Sequence, residues 1–399
     1  MAGVTIFDLI QDNPRFLARH VRSRFAGSHH YCATQTLRSR LSARIATLAC
    51  LVEATDAHPS HSEQNNTGLG DMQKQVTVTG GGGRLGCALV RTLLENGLKV
   101  RVLEPASALP ASLAGLNVEL FSGSVLDPAA VAKAIEGASV VYHLAAKIDL
   151  DRDLDGSVYA VNVEGTRQVA EACLARDLRL VHCSSHHALD LEPLSEPLDE
   201  SRPLAVDHKC TYHRSKARAE QLVHELIRER ALNAVVVNPG TLVGPLDFEP
   251  SLFGQGMLDL YHGKLPALLN IATDCADVRD VAQAIMVAAQ RGRTGERYLL
   301  SGKPLHMREI AALWSDITGC QTPAVFLPRW FGWFIVPFTV GAARIKREKP
   351  LFTPNMLRAS VANDSVCCDK AARELDYQPR PVEDSLRDAF AFYQEQGWA

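Results

Sequence analysis

The sequence predicts an α/β protein, a doubly wound parallel sheet followed by a smaller C-terminal α+β region. Three observations predict it. Short β-branched runs alternate with helical stretches from Gln75 onward. The glycine-rich run Thr79-Gly80-Gly81-Gly82-Gly83-Arg84-Leu85-Gly86 falls between the first strand and the first helix. After Pro239-Gly240 the alternation weakens, as a change of architecture would make it.

In chain order, 76–79 reads as a β-branched strand and 85–96 as a helix. Strands follow at 99–103 and 118–121, then a helix at 128–135 opened by a proline. Residues 139–144 form a fourth strand and 178–183 a fifth, with a helix over 161–175 between them. A helix over 211–230 leads to a strand at 234–238. Beyond it, helices are expected at 278–290, 307–318 and 385–396, and a strand at 297–300. Apolar strands in alternation with helices imply a parallel sheet covered on both faces. The expected organisation is an N-terminal extension over 1–71, a dinucleotide-binding domain over 72–240, and a substrate-binding region over 241–399 partly interleaved with it.

Composition sets bounds on function. With 399 residues, 46% hydrophobic and 22% charged, the chain is ordinary for a soluble globular protein. A net charge of −3 gives no general pull toward nucleic acid. Ten cysteines without a repeated C-x-x-C pair read as reduced thiols, which places the protein in the cytoplasm. No apolar run is long enough to span a bilayer. The longest, 330–343, reads as a buried or pocket-lining segment. The sharper alternative is a peripheral membrane contact, flanked by Arg329 and by Arg344, Lys346, Arg347 and Lys349. Between Pro14 and Leu51 stand seven arginines and no Asp, Glu or Lys. Transit peptides have that bias, but a disordered extension, or a start at Met72, is the favoured reading.

The glycines at 80, 83 and 86 give the turn its chemistry. Backbone without side chains admits a pyrophosphate, and the helix amino end offers free N–H donors. Arg84 and Leu85 belong to the same turn. Glu104, closing the second strand, would accept hydrogen bonds from the adenosine ribose and repel a 2′-phosphate, which favours NAD. Arg84 nearby pulls toward NADP. Tyr212 and Lys216 are four apart on one helix face, the only such spacing among eight tyrosines. A lysine cation beside a phenol, with the nicotinamide charge, lowers a pKa that is otherwise about 10. The phenol can then exchange a proton with an alcohol or ketone. A serine at the end of the fifth strand, Ser184 or Ser185, can orient the substrate oxygen. The histidines at 182, 186, 187, 208 and 213 lack the spacing of a zinc site, so no metal is expected. His186 and His187 are read as pocket residues facing substrate.

Together these residues resemble the extended short-chain dehydrogenase/reductases, the NAD-dependent epimerase/dehydratase superfamily with its Rossmann fold. Further matches are Val141-Tyr142-His143-Leu144-Ala145-Ala146, Asn162-Val163-Glu164-Gly165-Thr166, Val237-Asn238-Pro239-Gly240, Asp277-Val278-Arg279-Asp280-Val281 and 369–377. The likeness is nearest to the dihydroflavonol 4-reductase-like and 3β-hydroxysteroid dehydrogenase-like branch. It implies Ser185, Tyr212 and Lys216 as the catalytic set. It implies that Leu144, Ala145 and Ala146 line the cofactor, that Lys216 holds the nicotinamide ribose, and that Pro239 and Gly240 flank the nicotinamide. It also implies a homodimer. Ser124 replaces an aspartate usual near the adenine, and Arg84 an aromatic or aliphatic residue. The expected function is interconversion of a secondary alcohol and ketone on a bulky, largely apolar small molecule, steroid- or flavonoid-like. The alternatives are a sugar-nucleotide epimerase or dehydratase that retains NAD, and a non-catalytic NAD(P) sensor.

Overall fold

In the computed structural model of the chain, residues 74–149, 153, 155–334, 336, 357 and 362–399 are described. The expectations for 1–71 lie outside them. Seven parallel strands make the main sheet, in the order β10-β6-β5-β4-β1-β2-β3. These are β1 (Gln75–Thr79), β2 (Lys99–Glu104), β3 (Val118–Ser122), β4 (Val140–His143), β5 (Arg179–Cys183), β6 (Ala234–Pro239) and β10 (Arg297–Leu300). Each predicted strand is present to within a residue or two at its ends. Strand β10, from the C-terminal part of the chain, pairs with β6 at the sheet edge.

Side chains on neighbouring strand positions point to opposite faces. Val76, Val78, Tyr142, Val181, Val235 and Val237 belong to one core, packed under α1 (Arg84–Glu95) and α6 (Val278–Arg291). Val141, Leu180, Ala234 and Val236 belong to the other, under α2 (Pro128–Ala134), α3 (Gly165–Leu174) and α4 (Thr211–Arg230). The strands are apolar on both sides because both sides are covered.

A third core serves the C-terminal part. It joins Met257 and Leu258 of α5 (Leu252–Tyr261), Trp314 of α7 (Met307–Thr318) and Phe392 and Tyr393 of α9 (Val382–Glu395). Short strands β7 (Thr241–Val243), β9 (Ala272–Asp277) and β11 (Pro304–His306) form a second sheet, and β8 (Ala267–Asn270) pairs with β12 (Val325–Pro328). The expected closing motif contains α8 (Asp369–Leu375). Of the apolar stretch 330–343, only 330–334 and 336 are described. Gly332 lies against Leu269 and Leu357, while Trp330, Trp333 and Phe334 are exposed. No helix among the described residues is long and apolar enough to cross a membrane.

Candidate active site

Sheet order reverses between β1 and β4, the place where sheets of this kind take ligands beyond the carboxyl ends of their strands. The glycine turn leaves β1 at that point. Gly80 has φ +73°, and a Cβ on it would stand 2.6 Å from the Ala145 nitrogen, so the turn rests on the backbone that leaves β4. A Cβ on Gly86 would stand 2.0 Å from the Gly80 oxygen. Gly83, by contrast, has only that oxygen near its open side, at 3.5 Å. It caps α1 with no side-chain bond, and the first turn of α1 holds no acidic residue. The residues present therefore fit a pyrophosphate at this helix end.

Glu104 sits under the turn, where its Oε1 accepts from the Gly82 N–H at 2.6 Å. Burial pushes its pKa up, against the pull of that N–H. Ser124 accepts from the Leu126 N–H and opens a local turn. The Arg84 side chain is placed elsewhere than its neighbourhood in the sequence suggested. Its guanidinium donates to the carbonyls of Leu242 and Gly244 and to Ser251 Oγ, and pairs with buried Asp247 at 3.3 Å. Its charge is neutralised among β7 and the start of α5. The expected pull toward NADP is thereby removed, and Arg84 has only its backbone N–H to offer a phosphate.

Ser185, Tyr212 and Lys216 are brought together by β5 and α4. Ser185 caps a single turn at His186–Ala188 and accepts from the His187 N–H at 3.2 Å. Its hydroxyl also bonds the Tyr212 phenol. Lys216 Nζ donates to the Cys183 carbonyl at 2.7 Å. Burial pushes the Tyr212 phenol up to about 12, with the Ser185 bond pulling the other way, and pushes Lys216 down. In the chain alone, then, burial sets the phenol and Lys216 is not among the groups that move it, so the expected lowering of Tyr212 requires the cofactor's positive ring. Asn162 braces the helix. It lies in a π-turn, Ala160–Glu164, and donates to Ser215 Oγ at 2.9 Å, which donates in turn to the Tyr212 carbonyl.

Pro239 and Gly240 leave β6 beside this set. A Cβ on Gly240 would stand 2.6 Å from both Asp274 Oδ2 and Ser301 Oγ. His186 is buried, with Nδ1 3.0 Å from the Pro239 carbonyl and Nε2 3.6 Å from Asp274. His187 meets Tyr212 edge-on at 6.4 Å, and it stacks in a row of rings from His186 through His213 to His208. His186 thus has Nδ1 tied to Pro239 while its Nε2 has no hydrogen-bond partner among the described residues, and the rings of His187 and His213 both stand edge-on to the phenol. No cluster of three metal-ligating side chains is present among the described residues. Sequence reasoning missed Asp274 and Glu220, both buried near the site.

Comparison with known proteins places this geometry. Residues 76–301 match the model of the NAD dependent epimerase/dehydratase family. The chain belongs to that family. Its relatives include a protein named sterol demethylase protein B from Methylococcus capsulatus, 33% identical over 80% of this chain and 98% of the relative. A putative dihydroflavonol 4-reductase from Synechocystis is 31% identical over 80% of this chain and 95% of the relative. Among solved structures, that of gox2253 has a TM-score of 0.72 and 35% identity over 82% of this chain and 99% of that one. A UDP-glucose 4-epimerase of Thermotoga maritima, 18% identical with a TM-score of 0.66, shares the fold. The chain is an NAD(P)-dependent oxidoreductase of the extended short-chain type.

Proposed function

We propose that this protein interconverts a secondary alcohol and a ketone on a bulky, largely apolar substrate, steroid- or flavonoid-like, with NAD as the preferred cofactor. The observation that carries it is the convergence of Ser185, Tyr212 and Lys216 beside Pro239 and Gly240 at the strand ends. Bound NAD supplies the hydride acceptor and a positive ring. Ser185 Oγ holds the substrate oxygen. The Tyr212 phenolate would take the alcohol proton as hydride leaves to NAD, and in the reverse direction the phenol would give that proton to the ketone oxygen as hydride arrives from NADH. Lys216 supplies the cation that supports the phenolate and holds the ribose. Glu104 selects NAD by accepting from the ribose hydroxyls and repelling a 2′-phosphate. The names of the relatives, a sterol demethylase protein and a dihydroflavonol reductase, support an apolar ring system as substrate.

The test is a titration with NAD(H) against NADP(H), followed by hydrophobic alcohols and ketones with the preferred cofactor. Net NADH from a hydrophobic alcohol is the expected result. Turnover of a sugar nucleotide with no net NADH would replace this reading by an epimerase. Cofactor binding with no turnover of either class would make the protein a sensor.

A further inference from the structure

Helix α4 carries a second acidic feature one turn beyond Lys216. Glu220 has no exposed surface, although glutamate is seldom buried without a partner. Its Oε2 accepts from Asn238 Nδ2 at 2.7 Å, and the same nitrogen donates to the Ser185 carbonyl at 3.1 Å. Its Oε1 lies 2.9 Å from Arg297 Nε at the start of β10. Asn238 precedes Pro239 on β6, so one carboxylate is tied to the serine peptide, the nicotinamide-side strand and the tyrosine helix together.

We infer that Glu220 is a positioning residue of the active site: through Asn238 it fixes the Ser185 peptide, and, while ion-paired to Arg297, it acts as a buried counter-charge to Lys216 one turn away on α4. The inference rests on the hydride-transfer reading of Ser185, Tyr212 and Lys216 given above. Lysine and glutamate four apart are neighbours on a helix. Among the described residues, the titratable groups around Lys216 are Tyr212 one turn before it on α4, His143 of β4, His182 and Cys183 of β5, and Glu220 one turn after it. The histidines are buried and held neutral, and the Tyr212 phenol and Cys183 thiol are buried with their pKa values pushed up, so Glu220 supplies the negative charge. The groups facing Glu220 are Arg297, His224, Ser184, Asn238 and Lys216. Burial raises its pKa, but His224, Arg297, Ser184 and Asn238 outweigh burial and hold it below the ordinary range. It therefore stays ionised across the working pH range.

Two variants separate the two parts of the role. Glu220→Gln keeps the size and an oxygen for Asn238 but removes the charge. Asn238→Leu removes the bridge and keeps the charge. The Lys216 ammonium is followed by NMR of lysine-labelled protein saturated with NAD, assigned with Lys216→Met, so this readout needs no substrate. Glu220→Gln should release the Lys216 proton about one pH unit lower than the wild type, while Asn238→Leu leaves it in place. With a substrate that the wild type turns over, Asn238→Leu should lower kcat about tenfold with the NAD KM within about twofold. Failure of the wild type to turn over any alcohol overturns the hydride-transfer reading alone. An unmoved Lys216 titration in Glu220→Gln overturns the counter-charge. Unchanged kcat in Asn238→Leu overturns the positioning, and this variant still decides that part if Glu220→Gln does not fold.

Discussion

At the scale of single residues, the proposed chemistry turns on two side chains. Tyr212 is buried with its phenol at about 12, so it is protonated in the chain alone and must be brought down within the complex. Tyr212→Phe keeps the ring against His187 and removes the hydroxyl, with the proton it exchanges and its bond to Ser185. Turnover should fall by about a hundredfold or more while NAD still binds; an unchanged kcat would rule out the proposed acid–base role. Glu104 is the proposed selector of the cofactor. Its carboxylate lies at the glycine turn with Arg84 drawn off to Asp247. Glu104→Ala should raise the NADP to NAD ratio of kcat/KM by about tenfold, worth about 1.4 kcal/mol. A ratio that does not move would exclude Glu104 as the selector. The candidates Tyr212 and Lys216 were legible from four-residue spacing on one helix, and Glu104 from its place at the end of the strand that follows the glycine turn and its helix. Glu220 was not. Beside Lys216 it reads as a solvated helix glutamate, and its burial depends on Arg297, which only sheet pairing brings near.

At the scale of elements, the glycine turn and the Arg84 tether show why some parts were legible and others not. The turn's requirements are local: a strand, glycines at fixed offsets, a helix. Gly86 is where they are strictest. A Cβ there meets backbone rather than a movable side chain, so Gly86→Ala has to push α1 away from the turn. A loss of about 1–3 kcal/mol is expected, together with weaker NAD binding; chemical denaturation and a cofactor titration measure the two. The second sheet was invisible for the opposite reason. Strand β9 carries Asp274, which no local pattern singles out and which Ser301 and His186 surround, and Asp277, bonded by Arg279. Arg84 likewise reads as a ligand of the turn, yet it clamps β7 and the start of α5 through Asp247. Asp247 is almost fully buried. Arg84→Ala should therefore cost about 3 kcal/mol by leaving that carboxylate unpaired, while the NADP to NAD ratio stays as in the wild type. A shifted ratio without loss of stability would return Arg84 to the cofactor.

At the scale of the whole molecule, the core contains histidines that must remain neutral for the chain to stay folded. His143 bridges Thr79 of β1 and Thr166 of α3, and burial holds it at about 3. His213, within the row of rings, is held at about 3 by burial and its histidine neighbours. His182 stacks on His143 and is pushed well below its ordinary value by burial and Lys216. An unfolded histidine titrates near about 6.5. Below that pH the unfolded chain takes up protons that the folded chain refuses, so stability present at neutral pH is lost as the pH falls toward 3. The buried carboxylates Glu220 and Asp277, with lowered pKa values, add to this only below the ordinary carboxylate range. Between pH 6 and 5 the histidines act nearly alone. Each contributes up to about 1.4 kcal/mol per pH unit, so three give at most about 4 kcal/mol per unit. Urea midpoints measured across that interval should fall steeply. His213→Phe keeps a ring between His187 and His208 and removes one titration, so it should flatten the slope by about a third. A wild-type midpoint that does not change between pH 6 and 5 would mean that these histidines reach water, and that the core beneath the site is looser than their burial implies.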